Sequence, residues 1–141
     1  MILLGVYLNL ETNSNGRMRI FQIEGSSTSP RVWLDEKSGI IEISGVSAFH
    51  NPFHFYRCLA RWIRAFNLGE HKTRLVNMRF EYLDEESRRG MEFILQQLYQ
   101  LGRDNDNLVI NWYYPGENSL MQMMGMQYSR QSGIPFNLVA A

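Results

Sequence analysis

The chain has 141 residues, of which 45% are hydrophobic and 13% aromatic, so we expect one globular domain with a single core. Its 14 basic and 14 acidic residues cancel, and a net charge near zero provides no electrostatic attraction for nucleic acid or an anionic membrane. One cysteine, Cys58, excludes an internal disulfide and fits a reducing compartment. The apolar N-terminus, roughly ten residues long, is too short to span a bilayer and does not resemble a signal peptide, so we expect a cytoplasmic protein.

The first part of the chain predicts strands. Residues 2–10 could form one strand, and a polar turn separates it from Met18. We therefore expect the main domain at residues 18–141, with residues 1–17 forming either an added edge strand or an extension. The next apolar runs predict three short strands, of which the last two form a β-hairpin around a polar, glycine-containing loop: residues 20–24, 31–35 and 40–44.

The first helix is predicted to start at Asn51 and Pro52. Asparagine is a good N-cap, and proline is favoured at the first helical position. The apolar residues that follow recur at helical spacing and predict an inward stripe of Tyr56, Leu59, Ala60, Ile63 and Phe66. The end of this helix is predicted at residues 67–69, which finish in a glycine.

The stretch from Leu75 to Leu101 predicts a strand that leads directly into a helix. In its first half apolar and polar residues alternate, which predicts one strand face made of Val76, Met78, Phe80 and Tyr82. In its second half the apolar residues change to helical spacing, at Met91, Ile94, Leu95, Leu98 and Leu101. Between the two patterns lies Asp84, a good N-cap, and Gly102 is predicted to close the helix.

The last third predicts one strand, one helix and a short edge strand. Residues 108–114 form the strand, with Leu108, Ile110 and Trp112 on one face. Asn118 or Ser119 caps the helix, Gly133 ends it, and residues 134–139 form the edge strand. The helix is predicted to share one face among Leu120, Met121, Met124, Gly125 and Tyr128.

Alternating strands and helices predict parallel pairing through crossover connections. The central strand nevertheless has polar residues on one face, namely Asn77, Arg79 and Glu81, whereas a strand covered on both faces is apolar throughout. We therefore predict a single α/β domain with a mixed sheet and with helices mainly on one face.

The strand-to-helix turn is the strongest candidate for a functional site. Such a turn lies at the carboxyl edge of the parallel strands, where open α/β sheets usually meet their ligands. Two acidic residues of the first helical turn lie where the helix dipole favours negative charge. We predict a partner-binding or switch turn composed of Asp84, Glu85, Glu86, Ser87, Arg88 and Arg89.

Enzymatic and metal sites are weakly supported. His50 and His54 are four residues apart, but His50 precedes the predicted helix and a metal site needs three or four ligands. The carboxylates of Glu85 and Glu86 are adjacent on one helical turn, so they do not face each other across a substrate. The sequence has no glycine-rich phosphate loop and no nucleophile-elbow or zinc-protease motif. We expect no cofactor and no catalysis, and a small ligand-binding domain remains an alternative.

Four methionines crowd the last helix. Met123 and Met126 fall outside its predicted apolar stripe. Flexible, exposed methionines suit a protein-binding surface, which makes these two candidate interface residues. Burial beneath the C-terminal tail is the alternative interpretation.

Several short segments from Met18 to Leu138 resemble the SiaC-like family of bacterial regulatory phosphoproteins, which share the SpoIIAA/STAS-like fold. The matching segments are Ser29 to Asp35, Gly39 to Ser47, Phe80 to Leu83, Trp112 to Tyr114, and Ile134 to Phe136.

The resemblance implies a non-enzymatic switch protein. In the family, a partner serine/threonine kinase phosphorylates a threonine in the turn after the central strand, and a phosphatase reverses the modification. The unmodified form binds and activates a diguanylate cyclase, which links the family to biofilm control. A phosphate at a helix N-terminus is stabilised by the dipole, yet it adds charge to a docking surface.

The chain diverges from the family at this turn. Where the family typically reads Asn-Thr-Ser-Ser, this chain has Asp84-Glu85-Glu86-Ser87, so Glu85 occupies the phosphothreonine position. An alternative interpretation is a STAS-like anti-sigma-factor antagonist with Ser87 as the phosphosite. The resemblance thus predicts a divergent member whose partner-binding turn carries a fixed negative charge.

Overall fold

The structure, a computed structural model, describes residues 2–3, 6–12, 18–65, 74–105 and 108–141; side chains are described from residue 20 onward, apart from residues 65–73 and 101–107. Within these residues the strands are β1 Ile2–Leu3, β2 Val6–Thr12, β3 Met18–Ile23, β4 Arg31–Asp35, β5 Ile40–Ser47, β6 Arg74–Leu83, β7 Leu108–Tyr114 and β8 Phe136–Ala140. The helices are α1 Pro52–Ala65, α2 Glu85–Asn105 and α3 Ser119–Ser132.

The strands lie side by side in chain order, from β1 to β8. Pairing is antiparallel from β1 to β5, as expected for short connections, and parallel from β5 to β8, where each connection contains a helix. The prediction of a mixed α/β sheet is therefore confirmed. One strand was predicted over residues 2–10, but the backbone there forms two antiparallel strands, β1 and β2. Strand β2 pairs with β3, so part of the N-terminal segment extends the sheet.

The helices cover one face of the sheet. Alternate side chains on the strands are buried beneath them, and these include Val32, Leu34, Ile41, Ile43, Val76, Met78, Phe80, Ile110 and Trp112. On the other face, Asn111 donates a hydrogen bond to Asn77 at 3.0 Å and Asn137 donates one to Asn111 at 3.0 Å. The guanidinium of Arg79 lies 4.4 Å from the ring centre of Tyr113 on the same face. The polar pattern of the central strand thus marks the open face, as predicted.

Trp112 lies at the centre of the core beneath α3. Its indole Nε1 donates a hydrogen bond to the carbonyl of Met121 at 2.9 Å, and its ring lies 5.9 Å from that of Phe80. Gly125 of α3 packs directly on the indole: a Cβ there would lie 2.4 Å from Trp112 Cδ1 and 2.8 Å from Leu138 Cδ2. The missing side chain of Gly125 therefore lets α3 lie close over both β7 and β8.

The predicted alternation of the central strand fails at its end. Gly45 of β5 is paired with Phe80, but the next residue, Val46, is paired with Tyr82, so Glu81 is an extra residue in β6. This β-bulge shifts the alternation by one residue. Tyr82 was predicted to join the buried face, yet 52% of it is exposed, and Leu83 is buried instead.

Three further predictions need correction. The second helix was predicted to close at Gly102, but α2 continues to Asn105, since a single glycine weakens a helix by only about 1 kcal/mol. Leu120 was predicted on the buried face of the last helix, but 54% of it is exposed, because it lies in the first turn of α3. Helix α1 starts at Pro52, as predicted, but Asn51 before it has a φ of 55°, a left-handed conformation unlike the usual extended N-cap.

Other helix predictions are confirmed. The inward residues of α1 and α2 are buried as predicted: Tyr56, Leu59, Ala60, Ile63, Met91, Ile94, Leu95 and Leu98. Asn118 caps α3 by accepting a hydrogen bond from the Met121 amide at 3.0 Å, and Gly133 ends it with a φ of 77°. The predicted end of the first helix, at residues 67–69, lies outside the described residues.

Candidate functional site

The predicted turn lies between the end of β6, at Leu83, and the start of α2, at Glu85. Asp84 is its N-cap, since its carboxylate Oδ1 accepts a hydrogen bond from the Ser87 amide at 2.8 Å. The amide of Asp84 also donates to the carbonyl of Ser47, at the end of β5, over 3.0 Å. The turn is therefore tied to the neighbouring strand as well as to its own helix.

A cluster of three buried hydroxyls lies beneath the turn. Ser47 Oγ donates to Ser87 Oγ at 2.7 Å, and Ser47 Oγ is also 2.7 Å from the hydroxyl of Tyr56. Because the one proton of Ser47 goes to Ser87, the Tyr56 phenol donates to Ser47. All three residues have no exposed surface, and burial raises the pKa of the Tyr56 phenol well above its ordinary value. This cluster fixes the first turn of α2 against β5 and α1.

Helix α2 approaches α1 closely just beyond this cluster. A Cβ at Gly90 would lie 2.3 Å from Cδ2 of Tyr56, so only glycine fits there without movement. On the other side, the hydroxyl of Tyr128 from α3 donates to the carbonyl of Arg88 at 3.1 Å. Burial also raises the pKa of the Tyr128 phenol. The start of α2 is thus held from both neighbouring helices.

The exposed groups of the turn are charged. Glu85, Glu86 and Arg89 are exposed, and Arg89 Nη2 lies 3.6 Å from Glu85 Oε1 in a pair whose side chains are 70% and 84% exposed. Such an exposed pair is easily exchanged for a partner's charges, because water already screens it. Arg88 is more constrained, since its Nε donates to the carbonyl of Leu83 at 3.3 Å. The turn therefore presents exposed charges on a backbone that is held by hydrogen bonds.

Ser87, the alternative phosphosite, faces inward. Its side chain has no exposed surface and belongs to the hydroxyl cluster. A kinase could reach its Oγ only after the first turn of α2 had moved away from β5. The structure therefore disfavours a phosphoswitch at Ser87 in this conformation.

Tyr82 and Phe53 are exposed aromatic side chains whose exposure was not predicted from the sequence. Tyr82 is 52% exposed beside the turn, because of the bulge at Glu81. Phe53, in the first turn of α1, is 47% exposed; its ring lies 6.0 Å from that of Phe93 on α2 and 5.8 Å from the guanidinium of Arg57. Aromatic and arginine side chains are enriched at protein interfaces. The exposure of Phe53 could have been predicted, because it lies outside the inward stripe of α1. The exposure of Tyr82 could not, because it depends on the bulge.

The other candidate residues are dispersed. Met123 and Met126 are 54% and 44% exposed on α3, opposite the buried Met121 and Met124. His54 Nε2 lies 3.8 Å from Cys58 Sγ, but no group of three possible metal ligands occurs among the described residues. None of the helices in the described ranges is long and apolar enough to cross a bilayer.

Two small depressions in the described part of the surface are candidate ligand sites. One lies between α2 and α3, has a volume of about 210 Å³ and is lined in part by Gln96, Tyr99 and Gln131. The other lies on the open face of the sheet, around Glu42, Asn77 and Arg79, with a volume of about 230 Å³. Both are smaller than the ~300–1,000 Å³ typical of small-molecule sites, so neither favours the ligand-binding alternative.

Comparison with known structures shows the same fold in SiaC of Pseudomonas aeruginosa. The apo-SiaC structure has a TM-score of 0.76 and 21% sequence identity, covering 87% of this chain and 100% of SiaC. SiaC in complex with the diguanylate cyclase SiaD, from the same organism, gives a TM-score of 0.76 and 21% identity over 85% of this chain and 98% of SiaC. In sequence, an uncharacterised protein of Pseudomonas aeruginosa strain UCBPP-PA14 is 20% identical over 123 residues, 87% of this chain and 98% of that protein.

A sequence model of the SiaC family of regulatory phosphoproteins matches residues 23–141. This match includes β4 to β8, all three helices and the entire candidate turn. The domain boundary predicted between residues 17 and 18 stays a prediction. The chain belongs to the SiaC family of regulatory phosphoproteins.

Proposed function

We propose that this protein is a non-enzymatic cytoplasmic regulator that binds a diguanylate cyclase through the turn from Asp84 to Arg89. The observation that carries the proposal is the construction of this turn. Its backbone is fixed by the Asp84 cap and by the buried hydroxyls of Ser47, Tyr56 and Ser87, while Glu85, Glu86 and Arg89 remain exposed. A rigid backbone with exposed charges suits recognition, because little conformational entropy is lost on binding.

Family membership supports the class of partner. SiaC, whose fold this chain shares, has been crystallised with the diguanylate cyclase SiaD. By the same family resemblance, a serine/threonine kinase and a phosphatase are further partners. The exposed Tyr82 and Phe53 extend the proposed interface with the aromatic anchors that often contribute most of the binding energy.

The charge of Glu85 determines how we expect binding to be regulated. It lies at the family's phosphothreonine position and carries about one negative charge, whereas phosphothreonine carries roughly −1.5 to −2 and three acceptor oxygens. If the partner surface resembles that of the family, this protein behaves as though permanently but weakly phosphorylated. If the cyclase has instead acquired a basic residue facing Glu85, binding is constitutive.

The experiment is a Glu85→Thr substitution, with binding to the cyclase encoded nearest in the native genome measured by calorimetry. Relief of charge repulsion strengthens binding by up to a few kcal/mol, whereas loss of a matched charge weakens it. Glu86→Thr is the matched control, since it removes a neighbouring exposed carboxylate from the same helical turn. If Glu85→Thr leaves binding unchanged, or if both substitutions act equally, position 85 is not the specific contact proposed here.

A further inference from the structure

The chain belongs to a family of regulatory phosphoproteins, yet its candidate turn offers no accessible phosphate acceptor. Glu85 has no hydroxyl group, and the Oγ of Ser87 is buried in the cluster with Ser47 and Tyr56. A kinase transfers phosphate to a hydroxyl that it can position beside the nucleotide. If a kinase is a partner of this protein, as proposed above, the hydroxyl that it modifies must therefore lie outside the turn.

The described part of the chain has exposed serine and threonine side chains at three places. These are the loop between β3 and β4, the hairpin between β4 and β5, and the first turn of α3, with Ser26, Ser27, Thr28, Ser38 and Ser119. The hairpin precedes β5, whereas the candidate turn follows β6, which is parallel to β5, so Ser38 lies at the opposite edge of the sheet. The other two places lie at the same edge as the turn.

The loop between β3 and β4 is attached directly to the candidate turn. The carbonyl of Thr28 accepts a hydrogen bond from the amide of Ala48 at 2.8 Å, and the carbonyl of Ser47 accepts one from the amide of Asp84 at 3.0 Å. The Ser47 carbonyl and the Ala48 amide belong to one trans peptide unit, so they point in opposite directions. One peptide unit therefore separates the loop from the turn. Since hydrogen-bonded segments lie about 4.8 Å apart, the backbones of Thr28 and Asp84 are roughly 10 Å apart.

The loop leaves the hydroxyl of Thr28 available. Residues 24–28 are all exposed, which is the longest uninterrupted exposed run in the described residues. Ser26 Oγ accepts hydrogen bonds from the amides of Thr28 and Ser29 at 3.2 and 3.0 Å and lies 2.7 Å from Ser29 Oγ, so its hydroxyl is engaged in holding the loop. Thr28 Oγ1 lies 3.5 Å from Ser26 Oγ, a distance at which a hydrogen bond is weak. Ser119, by contrast, is fixed within α3 and cannot extend into a kinase without unwinding the helix.

We propose that Thr28 is the phosphate acceptor of this protein and that its phosphorylation weakens binding of the cyclase, an inference that rests on the proposed function. Thr28 Oγ1 forms a bond to the γ-phosphorus of a nucleoside triphosphate, the bond from that phosphorus to the bridging oxygen breaks, and the nucleoside diphosphate leaves. The hydroxyl proton passes to a base of the kinase. The phosphate adds a charge of roughly −1.5 to −2. It lies within about one Debye length of the exposed Glu85 and Glu86, so it increases the negative charge of the docking surface.

The acceptor is tested by incubating the full chain with ATP and the kinase encoded nearest in the native genome, followed by mass spectrometric mapping of the phosphate. We expect one phosphate, at Thr28, and none in Thr28→Val, which keeps the shape of the side chain but removes its hydroxyl. Ser119→Ala is the matched control: it removes an exposed hydroxyl at the same edge of the sheet and should leave incorporation unchanged. Circular dichroism checks that both variants are folded. A phosphate at any other residue, or no incorporation, overturns the proposal.

The effect on the cyclase is measured by calorimetry with the phosphorylated and the unmodified protein. The phosphorylated form should bind at least about tenfold more weakly, because like charges at an interface are unfavourable, whereas unmodified Thr28→Val should bind as the wild type does. Equal or tighter binding of the phosphorylated form overturns the regulatory part of the proposal. If the unmodified wild type does not bind the cyclase, the proposed function fails and the regulatory part fails with it, but the phosphate map still decides whether Thr28 is the acceptor.

Discussion

The N-termini of α2 and α3 begin in the same way but present different surfaces. In each, an oxygen of the capping side chain accepts a hydrogen bond from the amide three residues later: Asp84 from Ser87 at 2.8 Å, and Asn118 from Met121 at 3.0 Å. In α2 the residue three positions after the cap is Ser87, which belongs to the buried hydroxyl cluster, and charged side chains face the solvent. In α3 the residue three positions after the cap is the buried Met121, and the apolar side chains of Leu120 and Met123 face the solvent.

This comparison separates helix initiation from surface function. The same capping bond starts both helices, so the difference between the two surfaces depends on the residues that follow the cap. The turn of α2 combines fixed backbone with charge, which favours specific recognition. The outer face of α3 presents the exposed side chains of Met123 and Met126, and methionine suits adaptable apolar contact.

The largest expected effect comes from the two glycines that let the helices pack. Gly90→Val and Gly125→Val should each destabilise the protein by about 3 kcal/mol, the upper range of core overpacking, because their Cβ atoms would meet the rings of Tyr56 and Trp112. Urea unfolding measures both. Gly116→Val is the control, since a Cβ there has no neighbour within 4 Å. A stable Gly90→Val variant would show that α2 is not pressed against α1 beneath the turn.

Removing either helix cap should destabilise the protein less than the glycine substitutions do, and the two caps should have similar effects. Asp84→Ala and Asn118→Ala should each cost about 1 kcal/mol, since each leaves a first-turn amide without its side-chain acceptor. Asp84→Ala should cost about 0.3–1 kcal/mol more, because it also removes a negative charge from the helix dipole. Asp84→Asn isolates that electrostatic part, which should shrink with added salt. If Asp84→Asn costs nothing, and Asp84→Ala costs no more than Asn118→Ala, the charge of Asp84 contributes nothing to stability.

The buried phenols predict a loss of stability in alkali. Burial raises the pKa of Tyr56 and Tyr128 above the ordinary value of 10.0, so above that pH the unfolded chain releases protons that the folded protein retains. Stability is therefore complete below about pH 10 and falls as the pH rises further. Tyr56→Phe should cost about 1 kcal/mol at neutral pH through the lost hydrogen bond and should reduce the alkaline loss. Tyr82→Phe, which removes an exposed phenol, should leave both quantities unchanged.

The smallest effects are expected at the two surfaces themselves. Arg89→Ala should change the free energy of unfolding by less than about 0.5 kcal/mol, since its pair with Glu85 is largely exposed. Met123→Ala, at a half-exposed position, should be similarly mild. Thermal melts of the two variants test this together. A large loss of stability in either variant would show that the substituted residue contributes to folding.

Much of this fold could be predicted from periodicity and capping residues. The mixed sheet, the one-sided helices and the Asp84 cap follow from local patterns that the tertiary structure preserves. The bulge at Glu81 could not be predicted, because it depends on the register between β5 and β6, which the alternation within one strand does not report. The prediction that Leu120 is buried was wrong, because a first-turn residue can match the helical period without lying between the helix and the sheet.

The candidate site was predicted only in part. The sequence indicates the turn and its charges, but the inward orientation of Ser87 arises from hydroxyl partners 40 residues earlier at Ser47 and on α1 at Tyr56. Phe53 and Tyr82 show the same limit. The exposure of Phe53 could be predicted from its position in the helical repeat, whereas the exposure of Tyr82 depends on the bulge. Long-range pairings therefore determine which residues of the turn are available to a partner.

The bulge at Glu81 also divides the central strand into two parts with different requirements. Up to Phe80, each second residue is constrained by the shape of the core, and a substitution there is judged by the space it must fill. After the extra residue, Tyr82 is released from that constraint and faces the solvent beside the turn. The tip of the strand can thus be adapted to a new partner while the packing behind it stays the same. Because of one inserted residue, a substitution at the tip of the strand can change recognition without changing the packing that stabilises the core.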